Sequence, residues 1–229
     1  MTGAGRAHRR VPIGGILRAG RGPGTESQAG RSAAGADPLR SVDSAPVRII
    51  SGEQRGRRLR APEGLATRPT SDRVREALFN ILSTRIQGAN FLDVCAGSGA
   101  VGLEALSRGA ERAVFVEQSR RALEYLESNI EACGFQDGSR IVPKDAVSAL
   151  KALIARDEQF DVVYVDPPYE ADLYAPILQL LGLSGLVAPE GIVVVERRSR
   201  DRLPAEAGVL RHYRDVRHGN STLAFYERD

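Results

Sequence analysis

"FLDVCAGSGAVGLEAL", residues 91–106, is the stretch that decides the fold. Its first five residues are almost wholly apolar, as in a short strand buried on both faces. Three glycines, Gly97, Gly99 and Gly102, then break the strand, and Val101, Leu103, Ala105 and Leu106 follow at helical spacing. A strand, a glycine turn and a helix thus lie within sixteen residues. The same alternation runs on through the chain. Strands are expected at 90–95, 112–117, 139–142, 160–165 and 191–196, and helices at 99–108, 119–133, 145–154 and 172–181. Short apolar strands separated by amphipathic helices predict an α/β fold with a mostly parallel sheet covered on both faces. The end of the chain, "VLRHYRDVRHGNSTLAFYER", predicts a hairpin turning at His218-Gly219-Asn220, which adds antiparallel strands at one edge.

Upstream, "VRIISGEQRGRRL" (47–59) predicts two short strands around a glycine turn, studded with Arg48, Arg55, Arg57 and Arg58, with Arg60 just beyond. "RPTSDRVREALFNIL" (68–82) predicts a helix capped at Thr70, Ser71 or Asp72, with Val74, Ala77, Leu78, Ile81 and Leu82 on its apolar face. Residues 1–46 are rich in Gly, Ala, Ser, Pro and Arg and hold no Phe or Tyr. Such a segment buries too little apolar surface to offset its ordering entropy, and is expected to be a disordered arm. A basic tail, a targeting peptide and a start codon placed too early all fit it. The expected organisation is therefore an arm over 1–46 and one domain over 47–229, whose first part, 47–66, is a basic β-hairpin extension.

The net charge of +3 is unevenly spread. Residues 1–46 carry seven Arg against three acids, residues 47–75 eight Arg against three, and the remainder 17 basic against 23 acidic residues. Positive charge gathers at the front, as expected if that part meets a polyanion. A chain using 30 Arg and only two Lys could also be Arg-rich throughout by composition alone. No run is long enough to span a bilayer and no secretory signal is evident, so a cytoplasmic protein with no membrane partner is expected. Cys95 and Cys133 lie far apart without CxxC spacing and read as core thiols. With only His8, His212 and His218, no metal site or Ser-His-Asp triad is expected.

Two motifs carry the chemistry. Glycines 97, 99 and 102 spell G-x-G-x-x-G, and Glu117 ends the next strand twenty residues after the first. This loop suits a nicotinamide dinucleotide or any other adenosine cofactor, because glycine lets the backbone approach the ligand and the carboxylate accepts ribose hydroxyls. Asp93 separates the two readings. It stands within the first strand, where a dinucleotide binder usually has an apolar residue, and suits a ligand carrying positive charge, such as a methionine ammonium. The pattern Asp-x-x-x-Gly-x-Gly resembles the S-adenosylmethionine loop of Rossmann-like class I methyltransferases. That resemblance implies that Asp93, Gly97, Ser98 and Gly99 meet the cofactor and that Glu117 holds its ribose. It also places Asp145 beside the adenine. A plain cap of the following helix is a rival reading for Asp145, and a weaker one for Glu117 with the glycine loop in place.

The second motif ends "FDVVYVDPPY", residues 160–169. Two prolines cannot continue a central ladder, so the strand stops at Asp166 with a carboxylate and an aromatic ring on a stiff turn. An exocyclic base amine is a poor nucleophile, since its lone pair is delocalised into the ring. A carboxylate and a carbonyl accepting its N–H bonds orient it and stabilise the charge that grows on it. Asp166-Pro167-Pro168-Tyr169 resembles the Asp/Asn-Pro-Pro-Tyr/Phe motif of amino-group methyltransferases. Asp166 and the Pro167 carbonyl would then bind the amine, with Tyr169 stacking on the base after Pro168.

Taken in order, "RIISGEQRGRRL", "RPTSDRVREALFNIL", "DVCAGSGAVGLEALSRGA", "VDPPY" and "HGNSTLAFYER" resemble the bacterial small-subunit ribosomal RNA guanine-N2 methyltransferases over about residues 47–228. The resemblance implies methyl transfer from S-adenosylmethionine to a guanine of 16S ribosomal RNA, within an assembling small subunit, by a monomer. It further implies that Arg68, Thr70, Arg73 and Arg75 line the mouth of the site and that Arg48, Arg55 and Arg57 grip phosphates. Where members of that family have Tyr-Gly-Asp, this chain has His218-Gly219-Asn220. Three rivals stand beside this reading: a DNA adenine or cytosine amino-methyltransferase, a protein glutamine methyltransferase, and a noncatalytic RNA-binding assembly factor.

Overall fold

The computed structural model describes residues 47–61, 70–168 and 172–228, with Thr70 and Ser71 described by backbone alone. The arm expected over 1–46, Arg68, Tyr169 and the Thr70 side chain lie outside the described residues. In chain order the elements are α1 (Thr70–Ile81), β1 (Asn90–Val94), α2 (Ala100–Ser107), β2 (Arg112–Val116), α3 (Arg120–Cys133), β3 (Ser139–Val142), α4 (Ala146–Ile154), β4 (Phe160–Val165), α5 (Tyr174–Gly182), β5 (Val187–Arg198), β6 (Glu206–Ala207), β7 (Leu210–His218) and β8 (Ser221–Arg228).

The strands form one sheet in the order β3-β2-β1-β4-β5-β8-β7-β6. β1 to β5 pair in parallel, and β8 joins β5 antiparallel with β7 outside it. Successive residues of each central strand serve opposite faces. Phe91, Phe115, Val162, Val194 and Phe225 pack with α1, α2 and α3. Leu92, Val114, Val163, Val193 and Tyr226 pack with α4 and α5. Both faces of the central strands are therefore dry. The strand order reverses between β1 and β4, and the carboxyl ends flanking that reversal form the crevice where open α/β sheets bind ligands.

The differences from expectation have local causes. β5 runs six residues further than expected, because its antiparallel partner β8 extends the ladder to Arg198↔Ser221 and a second stretch at Val187 pairs with Phe160. α5 starts at Tyr174 because Asp172 takes a left-handed φ of 47°. β6 is too short to leave a sequence pattern. The terminal hairpin does close at Gly219-Asn220, between His218 and its partner Ser221.

The basic hairpin is shorter than two strands. It is a single antiparallel bridge, Arg48↔Arg58, extended by Ile49 N–H to the Arg57 carbonyl (2.9 Å) and Leu59 N–H to the Val47 carbonyl (2.7 Å). Val47, Ile49 and Leu59 point into the core beneath α1, while Arg48, Arg55 and Arg57 stay exposed. What the hairpin lacks in ladder it gains from helix side chains. Glu104 of α2, fully buried, accepts from the N–H groups of Ile50 (2.7 Å) and Ser51 (3.0 Å) and from Arg108 Nε (2.7 Å). Ser107 donates to the Ser51 carbonyl and accepts from Gln54 N–H. Asn129 of α3 binds both the N–H and the carbonyl of Arg60. Replacing Glu104 with alanine leaves the Ile50 and Ser51 N–H groups and Arg108 Nε without their acceptor, and removes the carboxylate 4.0 Å from Arg75 Nε. Urea unfolding should show a loss of about 3–5 kcal/mol; a loss under about 1 kcal/mol would mean that water replaces the carboxylate.

Candidate active site

β1 pairs with β4 in the register Val94↔Val165, so the glycine turn and Asp166 leave neighbouring strands at the same end. The Asp166 N–H donates back to the Val94 carbonyl at 3.2 Å, holding the proline turn against β1. Between the two tips lies a cleft of about 380 Å³, lined among others by Asp93, Gly97, Ser98, Glu117, Asp166 and Glu196. The juxtaposition on which the sequence reading depends is present.

The glycine turn is bent sharply as it leaves β1. Cys95 already takes a left-handed φ of 67°, unusual for a residue with a side chain, and Gly97 follows at 57°. A Cβ on Gly97 would meet no protein atom within 4 Å, so its absence leaves room on the cleft wall for a ligand. Gly99 is different. Its φ is 81°, a Cβ there would stand 2.4 Å from Leu126, and it does not line the cleft. It serves the packing of the loop on α3, as Gly102 serves the approach of α2 to Phe115.

Glu117, at the tip of β2, accepts Gly97 N–H through Oε2 (2.8 Å) and the N–H groups of Gln118 and Ser119 through Oε1 (2.9 and 2.8 Å). The carboxylate is thereby fixed on the cleft wall, and Oε2, which accepts a single bond, keeps a lone pair for a ligand hydroxyl. Asp93 is 1 % exposed, and its Oδ2 accepts Gly102 N–H at the start of α2 (2.9 Å). Burial pushes its carboxyl up to about 7, against the Gly102 bond that lowers it and with the Glu117 charge raising it further. Cys95 sits among the same acids. Burial first, then Glu117, Asp166 and Asp93, raise its thiol to about 12, which keeps it neutral. Four carboxylates border this cleft, faced by Arg75 and Lys144, and the crowding of acids suits a ligand with positive charge.

Several site residues expected from sequence are placed differently. Asp145 is an exposed N-cap of α4, accepting Ser148 N–H at 2.9 Å, and that bond lowers its carboxyl. It does not line the cleft, whereas its neighbours Lys144 and Ala146 do. Arg75, expected at the mouth, is 3 % exposed and lines the cleft from within. Its Nη2 donates to the Arg48 carbonyl (2.7 Å) and to Asp72 Oδ1 (2.8 Å), pinning the hairpin to α1. Burial lowers its guanidinium from the usual value. Arg73 is exposed on α1. Pro167 is buried and Pro168 exposed at the cleft rim.

Three polar residues were not singled out from sequence. Glu196 ends the apolar run "VVVE" on the strand beside β4, and its strand parity, matching Asp166, is the signal that could have found it. Tyr164 shares that face two residues before Asp166. Asn129 gave no signal, being a polar residue in the middle of a helix. Its Nδ2 donates to the Ser98 carbonyl (2.9 Å) as well as to Arg60, joining the glycine turn to the hairpin. Among the described residues no three or more His, Cys, Asp or Glu side chains are grouped to hold a metal, and no helix is long and apolar enough to cross a membrane.

Known proteins share this architecture. The chain is 37 % identical over 186 residues to ribosomal RNA small subunit methyltransferase D of Escherichia coli (strain K12), covering 81 % of this chain and 92 % of the relative. A solved hypothetical protein of Thermus thermophilus is 36 % identical and superposes with a TM-score of 0.69, over 79 % of this chain and 99 % of that one. At 18 % identity, a SAM-dependent methyltransferase of Agrobacterium tumefaciens shares the fold with a TM-score of 0.54, over 71 % of this chain and 63 % of that one. Over residues 47–227 the chain matches, and belongs to, the family described as Conserved hypothetical protein 95.

Proposed function

We propose that this protein transfers a methyl group from S-adenosyl-L-methionine to the exocyclic N2 amine of a guanine in 16S ribosomal RNA. One observation carries the reading: the glycine turn after β1 and Asp166 after β4 open into a single acid-lined cleft. The kinship with a small-subunit ribosomal RNA methyltransferase supports the polymer. The amine rests on the Asp-Pro-Pro-Tyr turn, and the guanine on the family resemblance.

The residues present fit the cofactor. Gly97 leaves open space, Glu117 offers an oriented acceptor oxygen to a ribose, and Asp93 offers a carboxylate to an ammonium group. S-adenosyl-L-methionine supplies a methyl carbon on a positively charged sulfur, which keeps the bonding electron pair as the new N–C bond forms. Asp166 and the Pro167 carbonyl accept the N–H bonds of the target amine and aim its lone pair along that axis. As positive charge grows on the nitrogen, Asp166 stabilises it. The methylated nitrogen then sheds one proton to water. Pro167 and Pro168 hold the acceptors in place before the base arrives, so little ordering is left for the binding step. Tyr169 is the proposed stacking face. The base must leave its helix or be unpaired already, since a stacked guanine cannot reach the cleft. The protein acts as a monomer on an assembling small subunit, in the cytoplasm, with the exposed Arg48, Arg55, Arg57 and Arg73 on phosphates and Arg68 and Thr70 at the mouth.

Weighing the nucleosides of digested small-subunit RNA from cells lacking the gene tests this directly. One N2-methylguanosine should disappear and return with the intact gene. An unchanged nucleoside profile would refute the reading, and methylation of DNA oligonucleotides or of a protein glutamine would redirect it. Reversing both Arg55 and Arg57 to glutamate should weaken RNA binding and lower the slope of log affinity against log salt by about 2. An unaltered slope would remove these arginines from the interface.

A further inference from the structure

Asp93, Glu117 and Asp166 have parts in the reading above, whereas the fourth carboxylate of the cleft, Glu196, has none. β4 and β5 pair in parallel up to Val165↔Val195, so the next residues, Asp166 just past the end of β4 and Glu196 within β5, stand side by side. Both line the cleft, and Glu196 is only 7 % exposed. The carboxylate is held by neutral donors. Tyr164 Oη donates to Oε2 at 2.6 Å and Ser221 Oγ to Oε1 at 2.9 Å, while Tyr174 Oη donates to the Glu196 backbone carbonyl at 3.3 Å. Burial, then the charges of Glu196 and Asp166, raise the Tyr164 phenol well above its usual range, so it stays a donor. Among the described residues no Lys or Arg is paired with Glu196.

A buried carboxylate that is oriented but not neutralised is costly to keep. The two hydroxyl donors engage its two oxygens, and each oxygen can accept a second bond. Neighbouring carboxylates are complementary to neighbouring N–H donors. Among the four RNA bases only guanine presents two adjacent donors, N1–H and N2–H, on its pairing edge. Adenine and cytosine place an acceptor nitrogen next to their amine, and uracil flanks its single N–H with carbonyls.

We propose that Glu196 is a specificity-determining residue that accepts guanine N1–H while Asp166, beside it, accepts N2–H. This rests on the guanine-amine reading above and adds how the cleft chooses that base. Tyr164 and Ser221 are positioning residues that keep the Glu196 carboxylate turned toward the cleft.

The test uses target RNA ligated from synthetic segments, once the methylated position is mapped, with guanine, 2-aminopurine or inosine at that position. 2-Aminopurine keeps the amine but has an acceptor at N1; inosine keeps N1–H but has no amine. The wild-type protein should prefer guanine over 2-aminopurine by about 10²-fold or more in kcat/KM, as expected when a buried acceptor loses its donor. Glu196→Gln should bring that ratio within about tenfold, because the amide can offer N1 of 2-aminopurine a donor. The same variant should weaken competitive inhibition by the inosine RNA. S-adenosylhomocysteine affinity, measured by calorimetry, should stay near wild type and shows that the variant is folded. Should Glu196→Gln fail to fold, Tyr164→Phe reads the same ratio with the carboxylate kept, and a smaller fall in preference is expected. A lower rate with an unchanged guanine to 2-aminopurine ratio would reduce Glu196 to a brace between β5 and β8 and overturn the proposal. Wild-type protein that methylates neither guanine nor 2-aminopurine would instead overturn the amine reading on which it rests.

Discussion

Replacing Asp166 with alanine should lower kcat by about 10²–10³-fold or more while leaving affinity for S-adenosylhomocysteine within about threefold of wild type. The separation follows from where the residue sits. Asp166 stands at the tip of β4, whereas Gly97, Glu117 and Asp93 belong to the turns and strands of β1 and β2. The backbone bond from Asp166 N–H to the Val94 carbonyl does not involve the side chain, so the turn keeps its place. Single-turnover methyl transfer and calorimetry on the same preparation check the two halves. Equal losses in both would mean that Asp166 holds the cofactor rather than the amine, and the division of the cleft drawn above would fail.

Replacing Asp93 with asparagine should act in opposite directions on stability and on binding. The carboxyl titrates near 7 in the folded protein and near 3.8 when exposed, so the folded state holds its proton more tightly. Below pH 4 both states are protonated and nothing is lost. Between about pH 4 and 7 the unfolded chain ionises while the buried group stays protonated, so stability falls across that window by something on the order of 4 kcal/mol and is level above it. Asparagine keeps an acceptor for Gly102 N–H and cannot ionise. The variant should therefore be more stable than wild type at pH 8 by a few kcal/mol, with the gain vanishing toward pH 4, as followed by urea unfolding at each pH. Binding should move the other way. A carboxylate buried opposite an ammonium group is lost, and cofactor affinity should drop by about 10²-fold or more. In the wild type, affinity should rise between pH 6 and 8 as Asp93 ionises to meet its partner. A variant no more stable at pH 8 would show that Asp93 is solvated and carries no such penalty.

Most of the scaffold could be read before any coordinates, because its determinants are local. The central parallel strands are runs such as "RAVFV" or "FDVVYV" that can only be buried on both faces, and β1 to β4 are each followed by a helix. Gly97 and Asp166 stand out in the sequence because glycine and proline mark turns at strand ends. The remaining features depend on contacts between distant residues. Sequence spacing makes Gly97 and Gly99 look equivalent, and only Leu126 of α3 tells them apart. Arg75 belongs to an arginine-rich run and reads as surface until Arg48 and Asp72 are seen to enclose it. Asp145 admitted two readings, and the Ser148 bond placed it as a cap. Glu196 stayed hidden because its meaning lies across the sheet, in the residue beside it.

Asn129 spans the carbonyl of Ser98 and the backbone of Arg60, so the arginine-bearing turn and the glycine turn belong to one rigid body. A protein that caught its polymer on a tether could let the target wander until it met the donor. Here the separation between arginines and the β4 tip is fixed by packing, and the fold works as a caliper. On the function proposed above, an RNA whose phosphates and base are wrongly spaced would fail to fit even when each group, taken singly, has a partner waiting. The shape in which the RNA is held would then be part of what this surface measures.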